Sequence, residues 1–314
     1  MDRKPVSVKS YANIAIVKYW GKADAERMIP STSSISLTLE NMYTETKLSF
    51  LPEDATGDVM YIDDELQGEK ETIKASKVLD LFRTNPNQHV KIETWNNMPT
   101  AAGLSSSSSG LSALVKAANE LFQVGKTQSE LAQIAKFASG SSSRSFFGPL
   151  AAWDKDSGEV YQVETDLKLA MIMLVLTDQK KPVSSRDGMK LCTETSTSFP
   201  EWIKQSEQDY KDMLGYLKAN DFQAVGELTE ANALRMHQTT STANPPFSYL
   251  TDASYQAMDK VKALRASGER CYFTMDAGPN VKVLCLEEDL DRLADHFRKD
   301  YQVIVSRTKE LPDA

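Results

Sequence analysis

The sequence PTAAGLSSSSSGL (residues 99–111) places five consecutive serines between a Gly-Leu pair and an apolar segment. Serine-rich runs are often flexible linkers, and composition alone favours that interpretation about half of the time. The residues that follow argue against a linker, because they repeat at the spacing of one buried helical face: Leu111, Leu114, Val115, Ala118, Leu121 and Phe122. We therefore predict that the serines lie where a loop becomes a packed helix.

A helix that begins directly after small polar residues is suited to binding an anion. Its first backbone N–H groups have no partner within the helix, and the helix dipole gives this end a partial positive charge. Serine hydroxyls add donors for phosphate oxygens and a hard oxygen ligand for Mg²⁺. The first hypothesis is therefore a phosphate-binding loop.

The composition is that of an ordinary globular protein, with 314 residues, of which 41% are hydrophobic and 25% are charged. A net charge of −8 argues against non-specific binding to nucleic acid or to an anionic membrane, but it permits a local basic site for a small anion. The first ten residues lack the apolar region of a secretory signal, and the apolar run at 169–176 is too short to span a bilayer. Three cysteines without ligand spacing argue against both a disulfide framework and a zinc site. We expect a cytoplasmic protein.

Hydrophobic periodicity predicts an α+β fold with an antiparallel sheet rather than repeated βαβ units. The segments predicted as strands are 34–40 paired with 44–50, then 89–95, 169–176, 271–276, 281–286 and 301–306. The segments predicted as helices are 70–82, Thr127 to about Ser139 with a Thr127–Glu130 capping box, 201–221, 222–238 with Asp221 as N-cap, 252–266 and 287–300. A second serine-rich turn is predicted over 139–154, and the best division into lobes is 1–185 and 186–314.

Four further stretches collect charged and hydroxyl side chains: ANIAIVKYWGKAD (12–24), SGSSSR (139–144), DQKKPVSSRDGM (178–189) and TMDAGPNVKV (274–283). Each has an ordinary structural explanation. Lysines at a strand end are usually solvated, an arginine at a helix end often binds carbonyls, and an aspartate before a glycine usually forms a turn. Together they would form an anion pocket with a single carboxylate, Asp276. The three histidines show neither metal nor triad spacing, which argues against a hydrolase.

These motifs resemble a known family. PTAAGLSSSSSG is similar to the phosphate-binding motif Pro-x-x-x-Gly-Leu-x-Ser-Ser-Ala of the GHMP kinase superfamily. NIAIVKYWGK, GSSSRS and MDAGPNVK narrow the resemblance to the diphosphomevalonate decarboxylases within it, over essentially the whole chain. One departure is Ser108, where the motif usually has Ala, and it leaves open which hydroxyl contacts the metal.

The resemblance implies a two-lobe GHMP kinase-like fold. Its N-terminal lobe would resemble domain 2 of ribosomal protein S5, its C-terminal lobe would be a ferredoxin-like α/β lobe, and a cleft would lie between them. It also implies an enzyme that uses ATP and Mg²⁺ to phosphorylate the 3-hydroxyl of (R)-5-diphosphomevalonate and decarboxylate it to isopentenyl diphosphate, in the mevalonate route to isoprenoids. A homodimer is implied as well, with no nucleic-acid or membrane partner.

The resemblance assigns roles to individual residues. Asp276 would orient or deprotonate the 3-hydroxyl, and Arg144 would hold the substrate carboxylate with Lys18 nearby. The residues expected to bind substrate, and chiefly its diphosphate, are Tyr19, Trp20, Gly21, Lys22, Ser139, Gly140, Ser141, Ser142, Ser143, Arg144, Ser185 and Arg186. The residues expected to bind ATP are Pro99, Ala101, Ala102, Gly103, Leu104, Ser105, Ser106, Ser107, Ser108 and Lys181, with Ser106 or Ser107 close to Mg²⁺.

Two other functions stay open at this point. A plain GHMP kinase would phosphorylate mevalonate or its 5-phosphate without decarboxylation, although Arg144 and the KYWGK stretch disfavour it because a simple kinase has no carboxylate to orient. A non-catalytic relative could sense metabolites through the same fold, since fold does not fix function. An intact serine loop together with Asp276 argues against that alternative.

Overall fold

The structure is a computed structural model that describes residues 4–98, 106–177 and 181–311. In the first half of the chain, strands alternate with three α-helices. The strands are β1 (Val6–Val17), β2 (Lys22–Asp24), β3 (Ile29–Pro30), β4 (Ser34–Phe50), β5 (Val59–Ile62), β6 (Glu65–Leu66), β7 (Val90–Asn96), β8 (Leu150–Trp153) and β9 (Val160–Gln162). The helices are α1 (Glu69–Leu79), α2 (Ser106–Leu121) and α3 (Gln128–Ala138), and a 3₁₀-helix follows at Gly140–Phe146.

The second half is richer in helix. Its helices are α4 (Ser185–Thr195), α5 (Phe199–Lys218), α6 (Phe222–Ser241), α7 (Asp252–Ala266) and α8 (Leu290–Arg298). Its strands are β10 (Leu169–Val175), β11 (Cys271–Met275), β12 (Val281–Leu286) and β13 (Gln302–Arg307). The α+β fold predicted from the sequence is therefore confirmed.

The strands form two main sheets. Within the described ranges, the first sheet has seven strands in the order β6-β5-β7-β4-β8-β9, with β1 also paired to β4. The second has four strands in the order β11-β12-β10-β13, and all of its pairs are antiparallel. The division into lobes at residue 185 stays a prediction. The strand just before it, β10, hydrogen-bonds within the second sheet.

Residues 34–50 form one continuous strand, so the prediction of two strands joined by a short connection is wrong. β1 pairs with β4 from Val6 opposite Leu48 to Val17 opposite Ile35, with register shifts between Tyr11 and Asn13 and between Ala15 and Val17. The polar residues that suggest a turn are bound from the second sheet instead. The Asn41 N–H donates to Ser306 Oγ at 3.0 Å, and the Asn41 side-chain amide donates to a β13 carbonyl at the same distance. Local sequence carries no signal of these long-range partners.

Two other predicted boundaries change. Residues 139–154, predicted as a turn, contain the 3₁₀-helix at Gly140–Phe146 and strand β8, which is wholly buried against β4. A strand of four buried residues shows no alternation, so periodicity does not detect it. The helix predicted over 287–300 begins with a 3₁₀ turn and is α-helical only at Leu290–Arg298.

The predicted helix starts are confirmed where capping chemistry marks them. The Thr127 side chain accepts from the Glu130 N–H while the Glu130 carboxylate accepts from the Thr127 N–H, which is the capping box. Asp221 caps α6 by accepting from the Ala224 N–H at 3.0 Å. These signals lie within three residues of one another, which is why sequence alone reveals them.

Two apolar clusters fix the site relative to the sheets. Helix α2 packs on the first sheet through the face predicted from its spacing, with Leu114, Val115, Ala118 and Leu121 buried. A second cluster joins the two sheets directly and contains residues of both, among them Ile14, Leu37, Met171, Met173 and Leu284. Because this cluster is closely packed, we expect it to be rigid. The elements of the two sheets that meet at it therefore hold their side chains at fixed separations.

The three cysteines are free and buried. No helix in the described part of the chain is both long and apolar enough to cross a membrane.

Candidate active site

A cavity of about 400 Å³ opens where the end of β1, the 139–144 turn, the start of α4 and the loop after β11 converge. Elements of both sheets contribute to its wall. Many of the residues singled out from sequence line it: Lys18, Tyr19, Trp20, Lys22, Ser107, Ser139, Gly140, Ser141, Arg144, Lys181, Ser185, Arg186 and Asp276. The four separate stretches of sequence therefore meet at one place.

Asp276 lies between two lysines at the floor of the cavity. The Lys18 ammonium donates to Asp276 Oδ1 at 2.7 Å and to the Ala15 carbonyl at 2.7 Å. The Lys282 Nζ lies 3.1 Å from the other carboxylate oxygen, and both lysine side chains are almost completely buried. Because Asp276 retains some exposure to the cavity, the ion pair is accessible to a ligand on one side.

Burial and the neighbouring charges shift the pKa of Asp276, and likewise that of Lys18, in opposite directions. Burial raises the pKa of Asp276, but the neighbouring charges of Lys18 and Lys282 outweigh it and hold that pKa well below its usual range. Burial lowers the pKa of Lys18 to about 8, with Asp276 opposing the shift. At neutral pH the carboxylate is therefore firmly ionised and Lys18 is mostly protonated.

Arg144 is a buried cation without a carboxylate partner in the described part of the chain. Its Nε donates to Ser36 Oγ at 3.0 Å and its Nη1 donates to the Ser34 hydroxyl. The side chain is only 2% exposed, and burial lowers its pKa to about 10. A desolvated guanidinium held by neutral hydroxyls is costly unless an anion joins it, and its fork geometry suits a carboxylate or a phosphate.

The charge of the cavity is opposite to that of the whole chain. Its described lining residues include five cations, namely Lys18, Lys22, Arg144, Lys181 and Arg186, against one acid, Asp276. Burial, and then the charge of Arg186, lower the pKa of Lys22, so the positive charge of Lys22 is held at a cost in the absence of a ligand. An anion that carries several negative charges fits this wall.

Tyr19 and Gly140 form one close contact at the edge of the cavity. A Cβ on Gly140 would come within 2.7 Å of the Tyr19 ring, so only glycine lets the ring lie there. The ring also packs on Trp153, with centroids 5.2 Å apart, and burial raises the pKa of Tyr19 to about 12. The phenol is therefore neutral and available as a hydrogen-bond donor beside Ser139 and Ser141, whose hydroxyls lie 3.1 Å apart.

Among the predicted site residues whose side chains or backbone the structure describes in full, four do not line the cavity. Ser142 and Ser143 are buried and donate to carbonyls of Ala135, Ser139 and Gly140, which builds the turn. Ser108 is buried and accepts from the Asn13 N–H at 3.3 Å. Gly21 has φ +113° and packs against Phe199 and Ser31, so its role in the fold is to turn the backbone after Trp20.

The phosphate loop lies mostly outside the described residues. Pro99, Ala101, Ala102, Gly103, Leu104 and Ser105 fall there, and α2 begins at Ser106, within the serine run where the helix start is predicted. Ser107, in the first turn of α2, lines the cavity. The helix N-terminus is thus directed at the same space as the cationic side chains.

Comparison with known proteins gives the family. Residues 10–163 match a family described as the diphosphomevalonate decarboxylase-like N-terminal domain, and residues 171–312 match the mevalonate 5-diphosphate decarboxylase C-terminal domain. The diphosphomevalonate decarboxylase of Candida albicans is 30% identical over 94% of this chain and 88% of its own. The chain belongs to the diphosphomevalonate decarboxylase family. The GHMP kinase-type two-lobe architecture implied by the sequence motifs is confirmed with it.

Solved structures of diphosphomevalonate decarboxylases share the whole architecture. The mevalonate pyrophosphate decarboxylase of Streptococcus pyogenes has a TM-score of 0.97 and 66% identity, covering 100% of this chain and 99% of that one. The mevalonate diphosphate decarboxylase of Enterococcus faecalis, described with mevalonate diphosphate-mediated ATP binding, has a TM-score of 0.89 and 39% identity, covering 99% and 100%. A structure described as MDDEF with MVAPP, AMPPCP and magnesium has a TM-score of 0.90 and 40% identity, covering 98% of each chain.

Sequence reasoning missed two polar residues at this cavity. Lys282 lies in the buried strand β12 and carries the second ion pair to Asp276, and its signal was a lysine inside the apolar run VKVLCL. Asn13 lines the cavity, donates to the Ser141 carbonyl and Ser145 Oγ, and keeps a buried Oδ1 with no hydrogen-bond partner among the described residues. Both stand in stretches that the motifs already contain.

Proposed function

We propose that this chain catalyses the ATP-dependent decarboxylation of (R)-5-diphosphomevalonate to isopentenyl diphosphate. The observation that carries the proposal is one cavity that combines an ionised carboxylate, a buried arginine whose hydrogen-bond partners among the described residues are hydroxyls, and four further cations. A substrate with a hydroxyl, a carboxylate and a diphosphate has a matching partner for each of these groups. Membership of the family and the MVAPP bound to a relative support the same substrate.

The reaction explains why the substrate needs both a 3-hydroxyl and a carboxylate. Hydroxide is a poor leaving group, so the 3-hydroxyl oxygen first takes the γ-phosphoryl group of ATP. The C3–O bond then breaks, phosphate leaves with that oxygen, and the electron pair of the bond to the carboxyl carbon forms the double bond as CO₂ departs. The balance is substrate and ATP to isopentenyl diphosphate, ADP, phosphate and CO₂, and it needs no added water.

Asp276 is proposed to orient the 3-hydroxyl for attack. A carboxylate whose pKa lies well below its usual range is a weak base, so accepting a hydrogen bond from the hydroxyl is favoured over full deprotonation before the reaction. Lys18, 2.7 Å from this carboxylate, fixes its direction and neutralises its charge. In phosphoryl transfer, positioning and charge stabilisation of this kind supply most of the catalysis.

Arg144 is proposed to bind the substrate carboxylate through its fork of N–H donors. Tyr19, Lys22, Ser139, Ser141 and Arg186 are proposed to contact the diphosphate, and Ser185 lies beside them at the start of α4. Lys181 lines the cavity and donates to the Ser185 hydroxyl and to the Ala277 carbonyl, both at 2.6 Å, and it is proposed to bind the nucleotide phosphates.

ATP and Mg²⁺ are proposed as ligands of the serine loop and the start of α2. The donor chemistry fits, because hydroxyl and phosphate oxygens are ligands that Mg²⁺ accepts. Among the described residues, no group of three or more acidic, histidine or cysteine side chains is arranged to hold a metal ion, so the nucleotide phosphates would supply much of the coordination, with Ser106 or Ser107 beside them. Bound Mg²⁺ would neutralise phosphate charge. The AMPPCP and magnesium in a relative support this assignment.

The test is a coupled measurement of two products. Purified protein is mixed with Mg-ATP and (R)-5-diphosphomevalonate, and ADP and CO₂ are followed together. Equal amounts of ADP and CO₂ are expected. ADP without CO₂ would favour a kinase, and neither product would favour a non-catalytic relative. A homodimer, implied by the family resemblance, and a cytoplasmic location, expected from the sequence composition, stay predictions, and light scattering on the purified protein tests the first.

A further inference from the structure

A buried amide holds the backbone of Lys18 from below the cavity. The Lys18 N–H donates to Asn232 Oδ1 at 2.8 Å, and the Thr32 hydroxyl donates to the Lys18 carbonyl at 3.2 Å. Asn232 lies on α6 and is fully buried. Lys18 is the first residue after β1, so the side chains of Asn232 and Thr32 bind its backbone at the point where the strand has ended.

A carboxylate decides which end of the Asn232 amide faces Lys18. The Asn232 Nδ2 donates to Asp209 Oδ2 at 2.8 Å, and an ionised carboxylate can only accept. If the amide were reversed, its oxygen would face the carboxylate and its NH₂ would face the Lys18 N–H. Both contacts would then be repulsive. Asp209 therefore fixes Asn232 as an acceptor for Lys18.

Asp209 is itself held in place. Its side chain is 1% exposed, and it accepts from the Gln205 amide at 3.1 Å and from the Arg235 guanidinium. The chain of contacts runs from α5 and α6 through Asn232 to Lys18 and then to Asp276. Asp209, Asn232 and Lys18 each hydrogen-bond to at least two partners, and such bonds hold a buried polar group in one orientation.

We infer that Asn232 and Asp209 are positioning residues for Lys18 in the reaction described above, an inference that rests on the proposed function. The Lys18 ammonium makes two contacts of 2.7 Å, to the Ala15 carbonyl and to Asp276. A backbone shift of about 1 Å would break both, and displacements of this size cost enzymes up to about 100-fold in rate. The two residues thus act on catalysis without reaching the cavity.

The experiment compares Asn232→Leu, Asp209→Asn and the double variant with the wild type. Tyr210→Phe is the matched control, because it removes a partly buried 2.7 Å hydrogen bond to Tyr161 from the helix that carries Asp209, without touching Lys18. For each protein, kcat, the KM for Mg-ATP and the melting temperature are measured. We expect kcat per folded molecule to fall about 10- to 100-fold in both single variants with the KM for Mg-ATP nearly unchanged. Asp209→Asn should add nothing once Asn232 is gone.

Several results would overturn the inference. Values of kcat equal to that of Tyr210→Phe at similar stability would show a merely structural role, and fully additive losses would show that Asp209 does not act through Asn232. If Asn232→Leu fails to fold, Asp209→Asn keeps the size of the side chain and decides alone. A crystal structure of Asp209→Asn gives a readout besides activity: an unchanged Lys18–Asp276 contact rejects the inference. A wild type that releases no CO₂ rejects the proposed function instead.

Discussion

At the scale of single residues, Asp276 shows how a turn signal and a functional signal can coincide. The ordinary structural explanation is that the Asp276 side chain forms the turn before Gly278 by binding the backbone. In the structure the Asp276 carbonyl makes the turn by accepting from the Gly278 N–H at 2.8 Å. Its carboxylate is directed at Lys18 and Lys282. The side chain is therefore available to the cavity.

Asp276→Asn should lower turnover by about 10²–10⁴-fold, because the amide keeps the size of the carboxylate but loses its charge and its second acceptor. Stability should fall too, since two buried lysines lose their counter-charge, at a cost of about 3–5 kcal/mol. Turnover per folded molecule and melting temperature are measured on the same preparation, well below the melting transition.

Lys282→Met is the matched control for Asp276→Asn. It breaks one of the two ion pairs while the carboxylate and its contact to Lys18 remain. We expect a loss of stability with a much smaller loss of turnover than in Asp276→Asn. A folded Asp276→Asn variant with near-normal turnover would end the case for this carboxylate.

Arg144→Lys should slow product formation while leaving the KM for Mg-ATP nearly intact. A lysine keeps the charge but lacks the fork that spans the Ser34 and Ser36 hydroxyls and a carboxylate at once. The loss is expected to be on the order of 10- to 100-fold in kcat/KM for the substrate. Steady-state kinetics with each substrate varied in turn give the answer, and an equal loss toward ATP would move Arg144 to the nucleotide side.

At the scale of elements, α2 joins packing and binding in one helix. Its apolar face is buried against the first sheet, while its first turn reaches the cavity at Ser107. Packing thus fixes the direction of the helix N-terminus and of its partial positive charge.

Replacing both Ser106 and Ser107 with alanine should weaken use of Mg-ATP by about 2–4 kcal/mol in transition-state terms, because hydroxyl contacts to phosphate and metal are lost. The melting temperature should change little, since alanine is a good helix former and the packed face is untouched. Normal Mg-ATP kinetics in the double variant would contradict a phosphate-binding role for this helix start.

At the scale of the whole molecule, the half-buried Lys116 makes stability depend on pH. The Lys116 ammonium donates to Ser10 Oγ at 3.0 Å and to the Ser145 carbonyl at 3.2 Å, and burial lowers its pKa to about 8. Unfolding returns this pKa to its ordinary value of 10.5. Between these values the unfolded chain binds more protons than the folded one, so this lysine makes stability rise with pH.

Lys116→Met should remove that dependence. The free energy of unfolding of the wild type minus that of the variant should increase between pH 7.5 and pH 10.5, by on the order of 2–3 kcal/mol. Urea unfolding of both proteins across this range measures the difference. A constant difference would show that the Lys116 ammonium titrates normally in the folded protein.

Sequence by itself determined what local chemistry can encode in this protein. Capping at Thr127 and Asp221, the apolar face of α2, and the motifs that identify the family all depend on residues near one another in the chain. Tertiary structure decided whatever depends on distant partners. The unbroken strand at residues 34–50 needs β1 and Ser306, and the second ion pair of Asp276 needs Lys282 on a neighbouring strand. The hold of Asn232 on Lys18 joins residues 214 positions apart, and only the packed fold brings such groups within hydrogen-bond distance.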